Sequence, residues 1–322
     1  MQISVITTIN PPSDTVKKLV TIKNMKVVVV GDKKTPENWN HPKVEYLSYV
    51  DQSNQFRRLS ELLPFNHYGR KNIGYILAIN QNPEHIIDFD DDNVPTSKLS
   101  QGILPPICEL ETIMANEPIN MYQFFTKRKV WPRGYPLSLL GKPQTFTIQK
   151  KIVKPYIQQL LANIDPDVDA IYRLFDSKKI IFKNRAPIAI SPNSYSPINS
   201  QATIWYKDIF PLLYFPTSVA WRAADIWRGY IAQKIVWTLG GCLTYTPGLV
   251  YQKRNFHTFQ QDFADELFCY QNTDKLLEVL GSCNPEGTIT EKLVYIYELL
   301  AKNDLVFHSE LPILEAWLKE IH

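Results

Sequence analysis

No apolar run in this sequence approaches the roughly 20 residues that a membrane-spanning helix requires. The expectation is a protein made and kept in soluble form and cytoplasmic, with peripheral membrane attachment through a Trp- and Tyr-rich surface left open. Cysteine is scarce. Cys108, Cys242, Cys269 and Cys283 lie far apart with no C-x-x-C pair, which argues against a disulfide or zinc framework and reads as reduced core thiols of an intracellular protein. Charge of one sign is lacking as well: 35 basic against 32 acidic residues leave a net +3, too little to attract nucleic acid by field alone. There is no G-x-x-x-x-G-K-[ST] P-loop, no G-x-G-x-x-G dinucleotide fingerprint, and neither H-E-x-x-H nor G-x-S-x-G. Internal repeats and low-complexity tracts are absent too. Met1 to Asn10 has no basic lead and turns polar at once, so it reads as a first strand and not as a signal peptide.

What is present is an ordinary globular composition with one unusual run. At 322 residues, 44% hydrophobic and 21% charged, the chain can bury a sizeable core. Its aromatic content of 12% suits a carbohydrate-handling cleft and, equally, a dense core. The unusual run is Asp88-Phe89-Asp90-Asp91-Asp92-Asn93, which follows an alternating stretch, Glu84-His85-Ile86-Ile87, that reads as a strand leaving a core. Clustered carboxylates repel one another unless a cation sits among them. A strand that delivers Asp-x-Asp to its exposed end is what a sugar-nucleotide glycosyltransferase needs to hold a divalent metal and, through it, a diphosphate. Solvated acidic loops and negative helix caps give similar runs. An EF-hand-like loop does not fit, because Asn93 stands at the sharp-turn position and Leu99 at the closing ligand position.

The first part of the chain alternates strand and helix. Ile3 to Ile9 is β-like, Ser13-Asp14 caps a helix from Thr15 to about Lys23, and Lys26 to Val30 is a Val run expected to be buried on both faces. A short strand at Val44 to Tyr49 and a helix from Tyr68 to Asn80 precede the acidic strand. This order predicts a mostly parallel sheet wrapped by helices, with Thr8, Asp32 and Asp90 at the carboxyl ends where ligands bind. Met121 to Ile204 mixes short strands with loops marked by Pro187, Pro192 and Pro197. Val219 to Leu239 is expected to be a long amphipathic helix stopped at Gly240-Gly241. Helical patterns follow over Thr273 to Leu280, Thr290 to Ala301 and Ser309 to Ile321. The predicted division is residues 1–260 as one α/β domain and 261–322 as a helical extension packed on it.

Several segments together carry a family resemblance. They are Thr35-Pro36-x-x-Trp39-Asn40, Tyr68-x-Arg70-Lys71-Asn72-Ile73-Gly74-Tyr75, the acidic strand end and Trp131-Pro132-Arg133-Gly134-Tyr135-Pro136-Leu137. Pro166-Asp167-Val168-Asp169-Ala170-Ile171-Tyr172, Asp225-Ile226-Trp227-Arg228-Gly229-Tyr230 and Trp237-x-Leu239-Gly240-Gly241 complete the set. In this order, from about Ile3 to Trp317, they resemble the STELLO-type family of probable glycosyltransferases, whose plant members are Golgi proteins linked to cellulose synthesis. Those members carry a membrane-anchored N-terminal region that this sequence does not show, so their Golgi placement is not carried over. The resemblance implies a GT-A fold, a nucleotide-sugar donor (UDP-linked by expectation), Mn²⁺ or Mg²⁺, and a glycan or lipid-linked acceptor.

The resemblance also implies roles. Asp90 and Asp91 would bind the metal, and Asp88 the donor ribose or a metal-bound water; Asp92 departs from the plant pattern, which has a basic residue there. Asp32 would accept from the ring N–H of a uracil-type base, or serve only as a turn residue. Thr8 belongs to the same donor rim. Arg70 and Lys71 would pair with phosphates. Asp225 would act as the base of an inverting transfer, although Arg222, Asp225 and Arg228 are also spaced for an ion-pair ladder. His257 would be a late metal ligand. Trp131, Arg133, Asp169, Asn199 and Arg228 are sugar or acceptor candidates, with a packed turn as the alternative for Trp131 and Arg133. Two other readings remain: a sugar-nucleotide mutase like the reversibly glycosylated polypeptides, and a non-catalytic scaffold of the same fold.

Overall fold

The computed structural model describes residues 1–253 and 258–321. Its strands and helices, in chain order, begin with β1 (Gln2–Thr7), α1 (Asp14–Leu19), β2 (Met25–Val30), β3 (Glu45–Leu47), α2 (Tyr49–Gln55), α3 (Arg57–Leu62), α4 (Lys71–Ile79), β4 (His85–Asp90) and β5 (Asn93–Pro95). The middle holds β6 (Cys108–Met114), β7 (Thr147–Val153), β8 (Pro155–Asn163), α5 (Ala170–Phe175), β9 (Ile188–Ile190) and β10 (Ala202–Tyr206). The last part holds α6 (Ala224–Thr238), β11 (Cys242–Gln252), α7 (Phe259–Ser282), α8 (Ile289–Lys302) and α9 (Glu310–Glu320).

Among the described residues, eleven strands form one sheet in the order β3-β2-β1-β4-β10-β8-β11-β9-β6-β7, with β5 paired to β11. The β3-β2-β1-β4 half is parallel, as expected. The rest is mixed: β10 runs antiparallel to both β4 and β8, and β11 is parallel to β8. The expectation of a mostly parallel sheet is corrected accordingly. The α/β class, with helices flanking the sheet and helices closing the chain, holds.

The Val run behaves as its composition dictates. Val28 and Val30 enter the core on one face and Val27 and Val29 the core on the other, so no position faces water. Ser13 caps α1 by accepting from the Val16 amide at 3.4 Å, and Ser48 and Asp51 form a reciprocal capping box on α2. Helices α2 and α3 fill the stretch between β3 and the turn before α4.

Helix α6 departs from the expected amphipathic helix in two ways. It begins at Ala224, five residues late, and it is buried nearly all round. Gly229 lets its backbone approach Ile198, since a Cβ there would sit 2.4 Å from Ile198 Cγ1. Gly240 stops the helix with φ +71°. The stretch from Thr273 to Leu280 is the end of one long helix, α7. Helices α7–α9 share the larger core with the sheet; Trp317 of α9 stands edge-on to Tyr75 of α4, with ring centroids 6.4 Å apart. Among the described residues no helix is long and apolar enough to cross a membrane.

Candidate active site

Parallel register creates the site. Thr7 pairs with Val30 on one side and with Asp90 on the other, so the three strand ends stand in one row. The next residues out, Thr8, Gly31-Asp32 and Asp91, therefore share a rim. Because β10 is antiparallel to β4, its leading residues Ser200 and Gln201 reach the same rim; because β8 and β11 run back, so do Asp167 and Gln252. A cleft of about 290 Å³ opens there, lined by the strand ends together with Asn66–Tyr68 and Trp221–Arg222.

The donor-side acids are held in different ways. Asp32 takes the Lys33 and His67 amides at 2.7 and 3.2 Å, while Thr35 links the Asp32 amide to the Thr8 carbonyl. Asp91 takes the Thr8 hydroxyl at 2.5 Å and the Asn10 amide at 2.9 Å. Asp92 accepts from Asn93 and Gln252. Asp90 is the acid under greatest electrostatic stress. Burial, and then the charges of Asp92, Asp88 and Asp225, push its carboxyl up to about 8 in spite of Lys71. Lys71 lies fully buried under the floor, with its ammonium 2.5 Å from Asp88, 2.8 Å from the Phe89 carbonyl and 3.4 Å from Asp90.

The opposite end is built on Arg133. Its guanidinium bridges Asp167 at 2.8 Å and Asp225 at 2.7 Å and donates to the Arg222 carbonyl. Asp225 also accepts from the Ser200 amide at 3.2 Å. Burial alone would raise its carboxyl, but the bidentate Arg133 outweighs that and holds it below the ordinary carboxylate value. Arg222 is anchored in turn on helix α7, 3.3 Å from Asp262 and 2.5 Å from Glu266.

The structure thus brings Thr8, Asp32, Asp90, Asp91, Arg133 and Asp225 to one cleft, with Lys71 immediately beneath it. It places other candidates elsewhere. Asp88 is fully buried between Lys71 and Arg228, each 2.5 Å away, so neither Asp88 nor Arg228 presents its charge to the cleft. Arg70 lines the cleft wall, but its guanidinium turns inward to Gln52, Ser60 and Leu63. Asp169 caps α5 through the Tyr172 amide and takes the Trp131 indole at 2.5 Å. Asn199 joins a buried network with Gln159. His257 lies outside the described residues.

Asp167, Trp221, Arg222, Gln201 and Gln252 line the cleft without having been singled out as site residues. The signal for Asp167 was available: in Asp167-Val168-Asp169, the N-cap spacing to Tyr172 ties down Asp169 and leaves its neighbour for the cleft. Among the described residues, no three His, Cys, Asp or Glu side chains are grouped to hold a metal. The donor set at the acidic corner is nonetheless all oxygen, the chemistry of Mg²⁺ and Mn²⁺, and such ions often bind through one or two carboxylates completed by phosphate.

The model of the STELLO glycosyltransferases matches residues 222–322. Over 98% of its length the chain is 28% identical to a protein of Arabidopsis thaliana named "Probable glycosyltransferase STELLO2". Over 96% it is 27% identical to "Probable glycosyltransferase STELLO1" of the same organism. It spans 44% and 43% of these two relatives, less than half of either. A solved glucosyl-3-phosphoglycerate synthase of Mycobacterium tuberculosis is a distant likeness, with TM-score 0.43 and 10% identity over 89% of this chain and 82% of that one. Along nearly its whole length, then, the chain is similar to two proteins named as probable STELLO glycosyltransferases, and its last third matches that family's model.

Proposed function

We propose that this protein is a GT-A-type glycosyltransferase that moves a sugar from a nucleoside-diphosphate donor, UDP-linked by preference, to a glycan or lipid-linked acceptor with the help of Mn²⁺ or Mg²⁺. One observation carries the reading. The parallel strand ends deliver Thr8, Asp32, Asp90 and Asp91 to a single rim, in a cleft lined by six aspartates against four basic side chains. That excess of negative charge suits a cation and the diphosphate it would hold.

Asp90 and Asp91 would hold the ion, which when bound neutralises the diphosphate and stabilises charge developing on the leaving group. Lys71 fixes the position of Asp90 from below. Asp32 presents a carboxylate, already oriented by two backbone amides, to the ring N–H of the base. On the acceptor side Asp225 takes the hydroxyl proton of an inverting transfer, provided that Arg133 releases one carboxylate oxygen as the acceptor arrives. Without that release Asp225 serves as the anchor of Arg133. Residues up to about 260 form the catalytic body in this reading, and the helices from 261 onward brace its acceptor wall.

A screen of nucleotide-sugars for thermal stabilisation, with and without Mn²⁺, tests the proposal. A donor at one hundred times its Kd adds about 2.7 kcal/mol, roughly 4 °C for a chain of this size. Asp90→Ala is expected to abolish the Mn²⁺-dependent part. If no nucleotide-sugar stabilises the protein, or if Asp90→Ala leaves the metal effect whole, the site has been misread.

A further inference from the structure

We propose that the outer end of the cleft, where the rings of Tyr68 and Trp221 stand stacked, is an acceptor subsite that takes an uncharged glycan and not a phosphorylated or acidic one. The inference rests on the transfer reading above and narrows the class of acceptor.

Two large aromatic side chains remain exposed at the cleft, Tyr68 at 42% and Trp221 at 37%. Their rings lie 5.8 Å apart between centroids and 13° from parallel, although the residues come from segments distant in the chain. One side chain belongs to the turn before α4 and the other precedes α6, so the stacked pair joins two separate segments at the cleft. An aromatic face carries negative charge density and matches the apolar C–H face of a pyranose, while the hydroxyls at the ring's edge stay with water or polar neighbours. Tyr68 lines the same cleft as Asp90, Asp91 and Asp92, whose charges, after desolvation, help hold its phenol above its ordinary value. A sugar stacked on this pair would therefore lie beside the donor position.

Charge decides between kinds of glycan. Arg133 and Arg222 are the guanidinium groups at this end, and each already faces two carboxylates: Arg133 faces Asp167 and Asp225, and Arg222 faces Asp262 and Glu266. His67, which also lines the cleft, has its imidazole pushed down by burial, which favours its neutral form. Beside these engaged guanidinium groups a phosphate or uronate would meet carboxylates, and Lys34, a basic side chain that also lines the cleft, follows Asp32 on the donor rim, whereas a neutral sugar meets ring faces and hydrogen-bonding groups.

The platform is also held in place. Glu310 of α9 takes the Thr217 amide at 2.9 Å and the Ser218 amide at 2.6 Å, just ahead of Trp221. Arg222, just after it, is tied to α7 and lies 5.3 Å from the Trp221 ring. A preorganised ring loses little freedom when a ligand stacks on it.

The test is titration calorimetry of the full chain with UDP and Mn²⁺ present. The probes are neutral gluco-, galacto-, manno- and xylo-oligosaccharides, set against a hexose phosphate and a hexuronate. At least one neutral oligosaccharide is expected to bind, Trp221→Ala to weaken it about tenfold, and Trp221→Phe to restore most of the affinity. UDP affinity should stay within about twofold of wild type in both variants. The proposal is overturned if the acidic sugars bind as well as the neutral ones, if Trp221→Ala has no effect, or if every neutral oligosaccharide fails to bind. Failure of UDP and Mn²⁺ to bind would sink the transfer reading separately, while Trp221-dependent binding of a neutral glycan would still uphold the subsite.

Discussion

Replacing Asp88 by asparagine removes one charge from the centre of a buried triad and leaves its shape almost unchanged. Asp88 has no exposed surface and lies 2.5 Å from both Lys71 and Arg228. After the change the asparagine oxygen can accept from only one of the two cations; Lys71 keeps Asp90 at 3.4 Å, whereas Arg228 has lost its carboxylate and retains the Tyr75 hydroxyl at 2.9 Å, the Leu213 carbonyl and the faces of nearby aromatic rings. Breaking a buried ion pair and stranding its partner costs about 3–5 kcal/mol. At about 2.1 cal/mol/K of unfolding entropy per residue, that cost corresponds to a fall in Tm of roughly 4–7 °C. Thermal denaturation followed by circular dichroism reads the shift, and urea unfolding should show a lower midpoint at an unchanged slope. Arg228→Met added to Asp88→Asn should recover part of the loss, because the stranded cation is then gone; the cycle of single and double variants measures the coupling. A shift below about 1 °C with native spectra would mean that the triad is hydrated. If Asp88→Asn instead abolished nucleotide-sugar binding without loss of stability, Asp88 would belong to the donor site after all.

Other outcomes follow from single observations. The Asp169 carboxyl is pushed up to about 7, chiefly by burial, so the fold favours its protonated form. Its contribution is full below the unfolded value near 3.8 and is lost as pH rises through 7; Asp169→Asn should flatten that part of the Tm-against-pH curve, and an unchanged curve would refute the assignment. Glu310→Gln turns one oxygen that accepts backbone amides into a donor, costing about 1–3 kcal/mol; hydrogen exchange at Thr217 and Ser218 should speed up, and unaltered exchange would show that Glu310 does not hold this segment. Gly74→Ala would put a Cβ 2.5 Å from Val30 and 2.7 Å from Val5. The overpacking cost of about 1–3 kcal/mol exceeds any gain in helix propensity, so a neutral or raised Tm would contradict the packing described. Incubation with a UDP-sugar and no acceptor should leave the sugar ring unaltered; a ring-isomerised product would instead make the protein a mutase.

The local elements were legible wherever their signals lie within a few residues. The Val run of β2, the Ser13 cap of α1 and the Gly240 stop of α6 depend on backbone geometry and side-chain period alone, and they lie where the sequence placed them. Trp221 and Arg222 were read as helical because Val219 to Leu239 is continuous in its apolar pattern. Tertiary anchoring of residues 217–222 on α7 and α9 draws that segment out of the helix and makes it a cleft wall. Helix α6 has no polar face because its other sides meet Ile198, α8 and the sheet, contacts that no short window of sequence contains.

The same division applies to the site. Spacing along one strand determined that Asp90 and Asp91 would stand together at its carboxyl end, because alternation and strand length set where a strand ends. Whether a given charge faces ligand or protein was decided only in three dimensions. Asp88 and Asp90 are two residues apart on one strand and point to the same side of it, yet one ends between two buried cations while the other reaches the cleft floor. The pairing of Arg133 with Asp225 joins residues 92 positions apart. Hydrophobic period and capping are short-range and survive in the sequence; the partner of a buried charge is chosen by whatever the completed fold packs against it.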